Sequence, residues 1–568
     1  MNARATTLRG NLEERLAGSL SPRSGSHAHG RAASTRAKGV VTLASLSGSI
    51  DSSFIAARIG HYLKAESGEP VLIVQLVPAG TTLALKDWPL LRRRAEAGFV
   101  LSSHLATLPT GVEHLTMAGG QDQHEAALMA TFLNHLRRHF TYILLDLGHE
   151  TAAPLLEECV LRSDLNCFLL RQDATEFYDF NRFARLIHAA PGGELAHLKP
   201  LICLANDERA QEPDETFKPL TGFRTGFVRN APAIGADTDI GSWTNRLLDS
   251  DLRRLAREIS HRQVGLALSS GGAKGFAHVG VIQVLEENGI DIDIVAGCSM
   301  GAYVGALWAY GLDGTKLDRL AHEVEGRTGM LRLIDPMLPP RRGFIGGGAI
   351  KRRLKRSLGD GHFADTVIPL RVVATQLGSL GRTVFSSGDI ASAVHASIAI
   401  PGVCVPVNIA GTDYIDGGIS DPLPVDVLRE MGIERIIAVN TIPPPAYLQC
   451  REEMKREQQE TASKRFNLFK ALNRHLNYFA GGNILDNLIS CFYGAQMRVA
   501  EESCRDADLV LRPLAWDARW HDFARPGKYI AVGRQVATEH LRDIKSLVTR
   551  KEPHHEHESA HHPMAHAA

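Results

Sequence analysis

Short apolar runs separated by helical patterns recur in both halves of the chain. In the first half, strands are predicted at 40–46, 71–76, 142–147 and 166–171. A helix is predicted at 54–63 after the first of these strands. In the second half, Val264–Leu268 is followed by a glycine-rich loop and by a helical pattern over 276–285. Alternating strands and helices predict an α/β chain with parallel sheets.

Changes in composition divide the chain into five segments. A length of 568 residues is enough for two or more domains, each with its own core. The predicted segments are a disordered basic arm at 1–38, a smaller parallel α/β domain at 39–235, a linker helix at 236–262, a larger α/β domain at 263–545, and a disordered His-rich tail at 546–568.

The strongest chemical signal lies in the second domain, where an apolar strand runs into Gly297-Cys298-Ser299-Met300-Gly301. This G-x-S-x-G pattern is typical of a serine nucleophile at a tight turn between a strand and a helix. Gly297 and Gly301 would remove side chains that collide at such a turn. Ser299 is therefore the candidate nucleophile. Cys298 is a rival thiol, but it does not stand at the apex of the turn.

Two further motifs flank the serine along the chain. Upstream, Ser269–Gly275 is a glycine-rich loop between a strand and a helix, and its backbone N–H groups suit an oxyanion or a phosphate. Downstream, Asp416-Gly417-Gly418 places a carboxylate after an apolar strand. His278 falls within the helical pattern after the loop, so we interpret it as a core residue and not as an acid or base.

In this order, the three motifs resemble those of the patatin-like phospholipase family, and most closely its bacterial members and the esterase domain of neuropathy target esterase. The resemblance implies a three-layer α/β/α hydrolase domain and a lipid acyl hydrolase that uses a Ser299–Asp416 dyad. The implied oxyanion hole comprises Gly271, Gly272, Ala273, Lys274 and Gly275. The sequence departs from the family at Ser270, which stands where the first of three consecutive glycines is usual.

Two alternatives remain open at this level. A Ser-Asp-His triad would need a histidine after the aspartate, and His475 and His521 follow it in the chain. The second alternative is a catalytically silent patatin scaffold that acts as a membrane-associated binding or regulatory protein. Retention of Ser299, Asp416 and most of the glycine loop favours the enzyme.

The first domain is similar to the P-loop ATPases of the partition and septum-site family. The resemblance rests on the strand, loop and helix at 40–63 and on Asp146, which ends an apolar strand where a Walker B acid would stand. However, the loop at 47–53 lacks the G-K-[ST] sequence that grips phosphate and positions magnesium, and no such sequence occurs in the chain. We therefore expect a degenerate domain with a regulatory or scaffolding role, and we predict no cofactor and no metal.

Composition narrows the setting and the partners. The formal net charge is zero, which argues against nucleic-acid binding driven by bulk charge. The 8 cysteines show no metal-ligand spacing, and the chain has no apolar run long enough to span a bilayer, so we expect a cytoplasmic protein. A basic amphipathic pattern at 464–479 predicts either a peripheral membrane contact or a core-facing helix. The predicted partner is a lipid or lysolipid substrate, and the oligomeric state is left open.

Overall fold

The structure is a computed structural model. It describes residues 39–77, 105–118, 123–193, 196–206, 208, 225–234, 245–326, 329, 335–337, 342–445, 484–515 and 522–549. The amphipathic pattern at 464–479, His475, His521 and the basic arm at 1–38 lie outside these residues.

An eight-stranded sheet forms the centre of the N-terminal domain. Its strand order is β3-β4-β2-β5-β1-β6-β7-β8, and only β3 runs antiparallel to its neighbour. The strands are β1 Gly39–Ser45, β2 Val71–Val77, β3 Ala106–Thr107, β4 Glu113–Ala118, β5 Tyr142–Leu147, β6 Leu165–Leu170, β7 Leu198–Cys203 and β8 Gly226–Val228. The helices are α1 Ser52–Ser67, α2 Gln123–Leu136, α3 Ala153–Arg162, α4 Ala174–Ala189 and α5 Arg246–Ile259.

Two separate cores lie on the two faces of this sheet. Val40 and Ala44 of β1 point into one core, and Val41 and Leu43 point into the other, as the two-residue period of a strand requires. The predicted strands at 40–46, 71–76, 142–147 and 166–171 correspond to β1, β2, β5 and β6 within one residue at each end. This domain is therefore a parallel α/β layer structure, as predicted.

A second sheet forms the centre of the C-terminal domain. Its strand order is β13-β14-β11-β10-β9-β15-β16, with β12 paired to β11. The strands are β9 Val264–Leu268, β10 Ile294–Cys298, β11 Leu370–Gln376, β12 Arg382–Phe385, β13 Val407–Ile409, β14 Thr412–Asp416, β15 Arg435–Val439 and β16 Leu509–Leu511. The helices are α6 Ala277–Glu287, α7 Met300–Ala309, α8 Gly314–His322, α9 Gly348–Leu358, α10 Ile390–Ser397, α11 Val425–Glu430, α12 Ile484–Ser503, α13 Pro526–Glu539 and α14 Leu541–Thr549.

Apolar cores cover both faces of this sheet as well. Leu266 and Val295 point into the core formed with α6, α7 and α13. Ala267 and Ala296 point to the opposite face, where α11 and α12 contribute to a second core. The domain therefore has the three α/β/α layers that the sequence predicts.

The helix between the two sheets differs from the prediction of a linker over 236–262. Helix α5 begins at Arg246 because the Asn245 side chain accepts hydrogen bonds from two amides of its first turn. Its apolar residues Leu248, Leu252 and Leu255 are buried in the N-terminal core, so the helix is an outer layer of that domain. The predicted end of the second domain, at residue 545, lies inside a helix. Helix α14 continues to Thr549, and Leu547 in this last part is buried.

Buried charges join the two domains at α5. Asp251 accepts hydrogen bonds from the Arg229 guanidinium at 2.5 and 2.8 Å, and both side chains are largely buried. Arg229 also donates to the carbonyl of Thr366 at 2.9 Å, and Arg254 donates to that of Val367 at 3.0 Å. A buried ion pair of this kind is costly to break on one side only, so these contacts fix the position of α5 against the C-terminal domain.

Candidate active site

Ser299 stands at the turn between β10 and α7. Its backbone has φ 52° and ψ −118°, which is a strained conformation for a residue other than glycine. A Cβ at Gly301 would lie 2.2 Å from the carbonyl oxygen of Leu268, so only glycine lets the first turn of α7 approach β9 this closely. Gly297 is packed in the same way, with its Cβ position 2.6 Å from the carbonyl oxygen of Gly301.

The sheet brings Asp416 to this serine. Strand β11 lies between β10 and β14, and it pairs Val373 with Cys298 on one side and Ala374 with Asp416 on the other. The residues that end β10 and β14 therefore meet at one edge. The Ser299 hydroxyl donates a hydrogen bond of 2.6 Å to Oδ2 of Asp416, although 117 positions separate the two residues in sequence.

Asp416 is held in place by a backbone hydrogen bond, and burial raises its pKa. Its Oδ1 accepts a 2.7 Å hydrogen bond from the amide of Gly418, and Gly417 packs against Cys298. Burial raises the pKa of Asp416 to about 6, while the hydrogen bonds from Ser299 and Gly418 act in the opposite direction. The carboxylate is therefore ionised near neutral pH and more basic than an exposed aspartate.

The glycine-rich loop presents unpaired amides beside the serine. Among the described residues, the amides of Gly271, Gly272 and Ala273 have no hydrogen-bond acceptor, although all three residues are buried. Buried amides without an acceptor are rare and call for an explanation, and three in succession form a cradle for an anion. Lys274 differs from the predicted set, because its amide donates to the carbonyl of Gly271 at 3.3 Å.

The position of Ser270 shows why its departure from glycine leaves this cradle intact. Its amide donates to the carbonyl of Pro422 at 2.8 Å, and its own carbonyl accepts from the Thr441 hydroxyl at 2.9 Å. Both backbone groups therefore anchor the loop and point away from the cradle. The tight position is Gly271, where a Cβ would lie 2.1 Å from the Thr441 hydroxyl oxygen. Gly275 is also a tight position, because a Cβ there would lie 2.5 Å from the Met300 side chain.

An apolar cavity of about 280 Å³ opens beside the serine and the loop. Ser299 and Gly272 line one end of it, and apolar side chains form most of the remaining wall. Tyr303, Arg353 and Cys404 are the polar exceptions, and the Arg353 guanidinium donates to the Tyr303 hydroxyl at 3.2 Å. The lining therefore suits a hydrocarbon chain whose reacting end lies at Ser299.

Two residues that the sequence analysis did not assign contribute to the site. The hydroxyl of Ser397 accepts a 2.8 Å hydrogen bond from the amide of Ser299 and donates to the carbonyl of Val373, which ties the strained turn to β11. Gln496 of α12 is buried and packs against Gly418. A Cβ at Gly418 would lie only 1.9 Å from Nε2 of Gln496. Ser397 lies in a helical segment near the aspartate strand, whereas no local pattern marks Gln496.

No histidine among the described residues forms a hydrogen bond with Ser299 or Asp416. His278 is fully buried, and its Nε2 donates to the carbonyl of Ser269 at 2.9 Å. Burial lowers its pKa to about 4, so it is neutral and structural, as its place in a helical pattern predicts. The thiol of Cys298 is also buried, and burial raises its pKa well above the ordinary value.

The corresponding loop of the N-terminal domain is occupied by the protein's own side chains. Asp51 stands before Ser52-Ser53, where a G-K-[ST] loop would have its lysine, and its carboxylate accepts from the amide of Phe54 at the start of α1. Glu176 accepts a 2.7 Å hydrogen bond from Ser47 within the loop. Asp146 is buried, and the hydroxyls of Ser52 and Ser53 donate to it at 2.7 and 2.5 Å.

Comparison with known proteins assigns the class of the second domain. An α/β sheet that carries a serine at a strand-to-helix elbow defines a hydrolase-type domain, and residues 266–429 match the model of the patatin-like phospholipase family. The chain therefore contains a patatin-like phospholipase domain.

Curated relatives match over the same part of the chain. A lysophospholipase NTE1 of Cryptococcus neoformans is 34% identical over 192 residues, which are 34% of this chain and 12% of that protein. An NTE family protein of Mycobacterium tuberculosis is 40% identical over 186 residues, which are 32% of this chain and 50% of that protein. The chain thus aligns with at most about half the length of these two relatives.

Solved structures of low sequence identity are similar to parts of this chain. A ParA family ATPase from Chlorobium tepidum covers 40% of this chain and 93% of its own, with 13% identity and a TM-score of 0.29. VipD from Legionella pneumophila covers 50% of this chain and 67% of its own, with 16% identity and a TM-score of 0.28.

Proposed function

We propose that this chain is a serine acyl hydrolase that cleaves ester bonds of phospholipids or lysophospholipids through a Ser299–Asp416 dyad. The observation that carries the proposal is the 2.6 Å hydrogen bond from the Ser299 hydroxyl to Asp416, beside unpaired amides and an apolar cavity. A nucleophile, a base and oxyanion donors around one point are the parts that acyl transfer needs.

In the first half-reaction, the Ser299 oxygen attacks the ester carbonyl while its proton passes to Oδ2 of Asp416. The negative charge that develops on the carbonyl oxygen is accepted by amides of the Gly271–Ala273 cradle. The proton held by Asp416 then goes to the leaving alcohol as the C–O bond breaks. The product is an acyl group on Ser299, together with the released lysolipid or glycerophospho-alcohol.

In the second half-reaction, Asp416 takes a proton from water, which attacks the acyl-serine carbonyl. The same amides hold the second oxyanion, and collapse of this intermediate returns the proton to Ser299 and releases the fatty acid. A carboxyl with a pKa of about 6 serves both steps, because it is ionised before attack and gives up its proton readily afterwards.

The base acts directly on the serine in this account. Among the residues that the structure describes, no histidine forms a hydrogen bond with Ser299 or Asp416. We therefore propose the dyad and not a triad. If His475→Ala or His521→Ala reduced kcat as strongly as Asp416→Asn, the dyad would be replaced by a triad.

The cavity and the relatives favour a lipid substrate. A lining that is mostly apolar fits an acyl chain, and the Cryptococcus neoformans relative carries the name lysophospholipase. None of the described helices has the length and apolar character needed to cross a bilayer. We therefore propose that the protein meets its substrate from the aqueous side as a peripheral enzyme in the cytoplasm.

The N-terminal domain, in this proposal, is a scaffold without ATPase activity. Carboxylates of Asp51, Asp146 and Glu150 line a cavity of about 330 Å³ at the end of its sheet, so the site repels phosphate. The sheet instead carries α5, which holds the buried ion pairs to the C-terminal domain.

The test is fatty-acid release from lysophosphatidylcholine and from a short-chain p-nitrophenyl ester. We expect Ser299→Ala to lose turnover of both substrates by a factor of about a thousand or more with an unchanged fold, because the acyl-enzyme cannot form. Cys298→Ala is the matched control, since it removes the adjacent rival nucleophile, and it should retain activity. A folded wild-type protein that bound lipid but released no acid would instead support the silent scaffold.

A further inference from the structure

Exposed apolar side chains concentrate at one edge of the C-terminal domain. Among its described residues, the exposed large apolar side chains are Met337, Leu377, Leu380 and Val499. Leu380 is 59% exposed and Met337 is 45% exposed. Hydrogen bonds connect Met337 and the hairpin of Leu377 and Leu380 to the segment that carries Ile345 of the cavity wall, whereas scattered single residues are usual on a protein surface.

Leu377 and Leu380 belong to the hairpin tip that joins β11 to β12. Strand β11 runs parallel to β10 and extends three residues beyond the pair Cys298–Val373, so the tip projects from the edge where Ser299 stands. Leu380 adopts φ 55°, a conformation that favours glycine or asparagine. An exposed leucine in a strained backbone position lacks an explanation in the packing of the domain.

Basic side chains cover the outer face of α9 at the same edge. Lys351, Arg352 and Arg356 have no carboxylate partner among the described residues, whereas Lys355 pairs with Asp360 at 3.0 Å. Arg352 and Arg356 lie one turn apart and are exposed. The opposite side of the same helix reaches the cavity, because Ile350 and Arg353 line it.

A single short segment connects the hairpin tip, the cavity and the basic helix. Arg342 pairs with Asp413 at 2.5 Å, and the carbonyl of Asp413 accepts from the amide of Leu377 at 2.8 Å. Three residues later, Ile345 lines the cavity. Helix α9 begins at Gly348, and the amide of Met337 donates to Phe344 in the same segment.

We infer that this edge is a docking face for the surface of an anionic phospholipid bilayer, and we define the docking face as Met337, Leu377, Leu380, Lys351, Arg352 and Arg356. The inference rests on the proposed function, because it explains how a lipid ester reaches Ser299. The leucines and Met337 enter the acyl boundary, and the three cations of α9 contact lipid phosphates beside the cavity.

A bilayer fits this face better than a second copy of the chain does. In a symmetric dimer built on the docking face, the three unpaired cations of one copy would meet those of the other, and like charges repel. The chain has a formal net charge of zero, so attraction to an anionic surface depends on this local cluster and not on overall charge. An anionic surface that also accepts apolar side chains satisfies both parts of the face.

The experiment measures co-sedimentation of the full chain with phosphatidylcholine vesicles, with and without phosphatidylglycerol, in a Ser299→Ala background so that no lipid is consumed. We expect tighter binding to the vesicles that contain phosphatidylglycerol. The triple variant Lys351→Gln, Arg352→Gln, Arg356→Gln should weaken that binding about tenfold or more. The control Arg138→Gln, Arg182→Gln, Arg185→Gln removes the same charge from exposed positions of the N-terminal domain and should bind as the parent does.

The apolar part is tested with Leu377→Ser, Leu380→Asn, which should reduce binding to both vesicle types and suits the positive φ of Leu380. Equal binding by the triple variant and its control, or no binding to either vesicle, would overturn the docking face. So would a dimer, measured by light scattering, that the same substitutions dissociate. Hydrolysis of the soluble short-chain ester by active forms of these variants is a separate readout, and its absence from the wild type counts against the proposed function alone.

Discussion

The two domains each place a loop between a parallel strand and a helix, and the two loops differ in what their polar groups contact. After β9, the amides of Gly271, Gly272 and Ala273 have no acceptor among the residues that the structure describes, and Gly272 lines the apolar cavity. After β1, Asp51 caps the helix that follows and Glu176 accepts hydrogen bonds from the loop serines.

The difference shows what a strand-loop-helix motif needs for chemistry. Free donors at a helix N-terminus attract an anion, but a carboxylate from the protein itself removes that capacity. Ile50, beside Asp51, is fully buried and anchors the end of this loop in the core. In the function that we propose, the first loop stabilises its domain, while the second keeps its backbone amides for a substrate.

The largest effect on catalysis is expected from substitution of Asp416, the proposed proton acceptor beside the second loop. Asp416→Asn should lower kcat for ester hydrolysis by about a hundredfold to ten-thousandfold with little change in KM, because it removes proton acceptance and leaves the cavity unchanged. Initial rates over a range of short-chain ester concentrations measure both constants. A variant with unchanged kcat would exclude Asp416 as the base.

A second substitution tests whether the free amides of the glycine-rich loop hold the oxyanion. Gly271→Ala should reduce kcat about tenfold to a hundredfold, because the new methyl group would lie 2.1 Å from the Thr441 hydroxyl and must displace the cradle. Pairing it with Thr441→Ser, which keeps the hydroxyl and removes only a methyl group, provides the control. Equal activity of Gly271→Ala and wild type would show that the cradle does not hold the oxyanion.

The pH dependence follows from the buried aspartate. Because burial raises the pKa of Asp416 to about 6, kcat/KM should fall about tenfold for each pH unit below about 6 and level off above it. The effect on stability has the opposite sign. A pKa raised on folding means that the folded state binds the proton more tightly, so this contribution to stability is lost as pH rises from about 4 through about 6.

Thermal unfolding checks that sign. The advantage of Asp416→Asn over wild type should grow by about 1.4 kcal/mol between pH 5 and pH 8, since one pKa unit corresponds to about 1.4 kcal/mol and about one unit of the shift lies above pH 5. If instead the advantage shrank as pH rose, burial would not be the dominant influence on this carboxyl.

The smallest effects belong to the first loop. ATP with magnesium should not shift the unfolding temperature, and the full chain should hydrolyse no ATP above background, because the loop lacks the phosphate-binding lysine and carboxylates line the cavity beside it. Asp51→Ala should cost about 1 kcal/mol of stability through loss of the helix cap and leave ester hydrolysis unchanged. Micromolar ATP affinity with turnover would contradict the assignment of this loop to structure.

The sequence predicts the residues of the candidate site better than it predicts the residues and the helix that hold them in place. Contiguous patterns mark Ser299, the glycine loop and Asp416, because tight turns demand glycine at fixed spacings. Ser397 and Gln496 reach the site through tertiary packing, and no local pattern marks Gln496. The place of α5 could not be read either, because an amphipathic helix between two domains gives no sign of which core its apolar face joins.

Patterning predicted the four strands β1, β2, β5 and β6 closely because each is a short, mostly apolar run that is largely buried. The ends of elements were predicted less accurately, as at Asn245, which caps α5, and at Thr549, where α14 ends. The hydrogen bond between the nucleophile and the base joins residues far apart in sequence, and only the register of β10, β11 and β14 specifies it.

The most direct test of the central claim is labelling by a fluorophosphonate probe, followed by peptide mass spectrometry of the modified protein. The account predicts rapid labelling at Ser299 in the wild type, none in Ser299→Ala, and much slower labelling of the same serine in Asp416→Asn. Labelling at another residue, or equal rates in the wild type and Asp416→Asn, would contradict a serine nucleophile activated by Asp416.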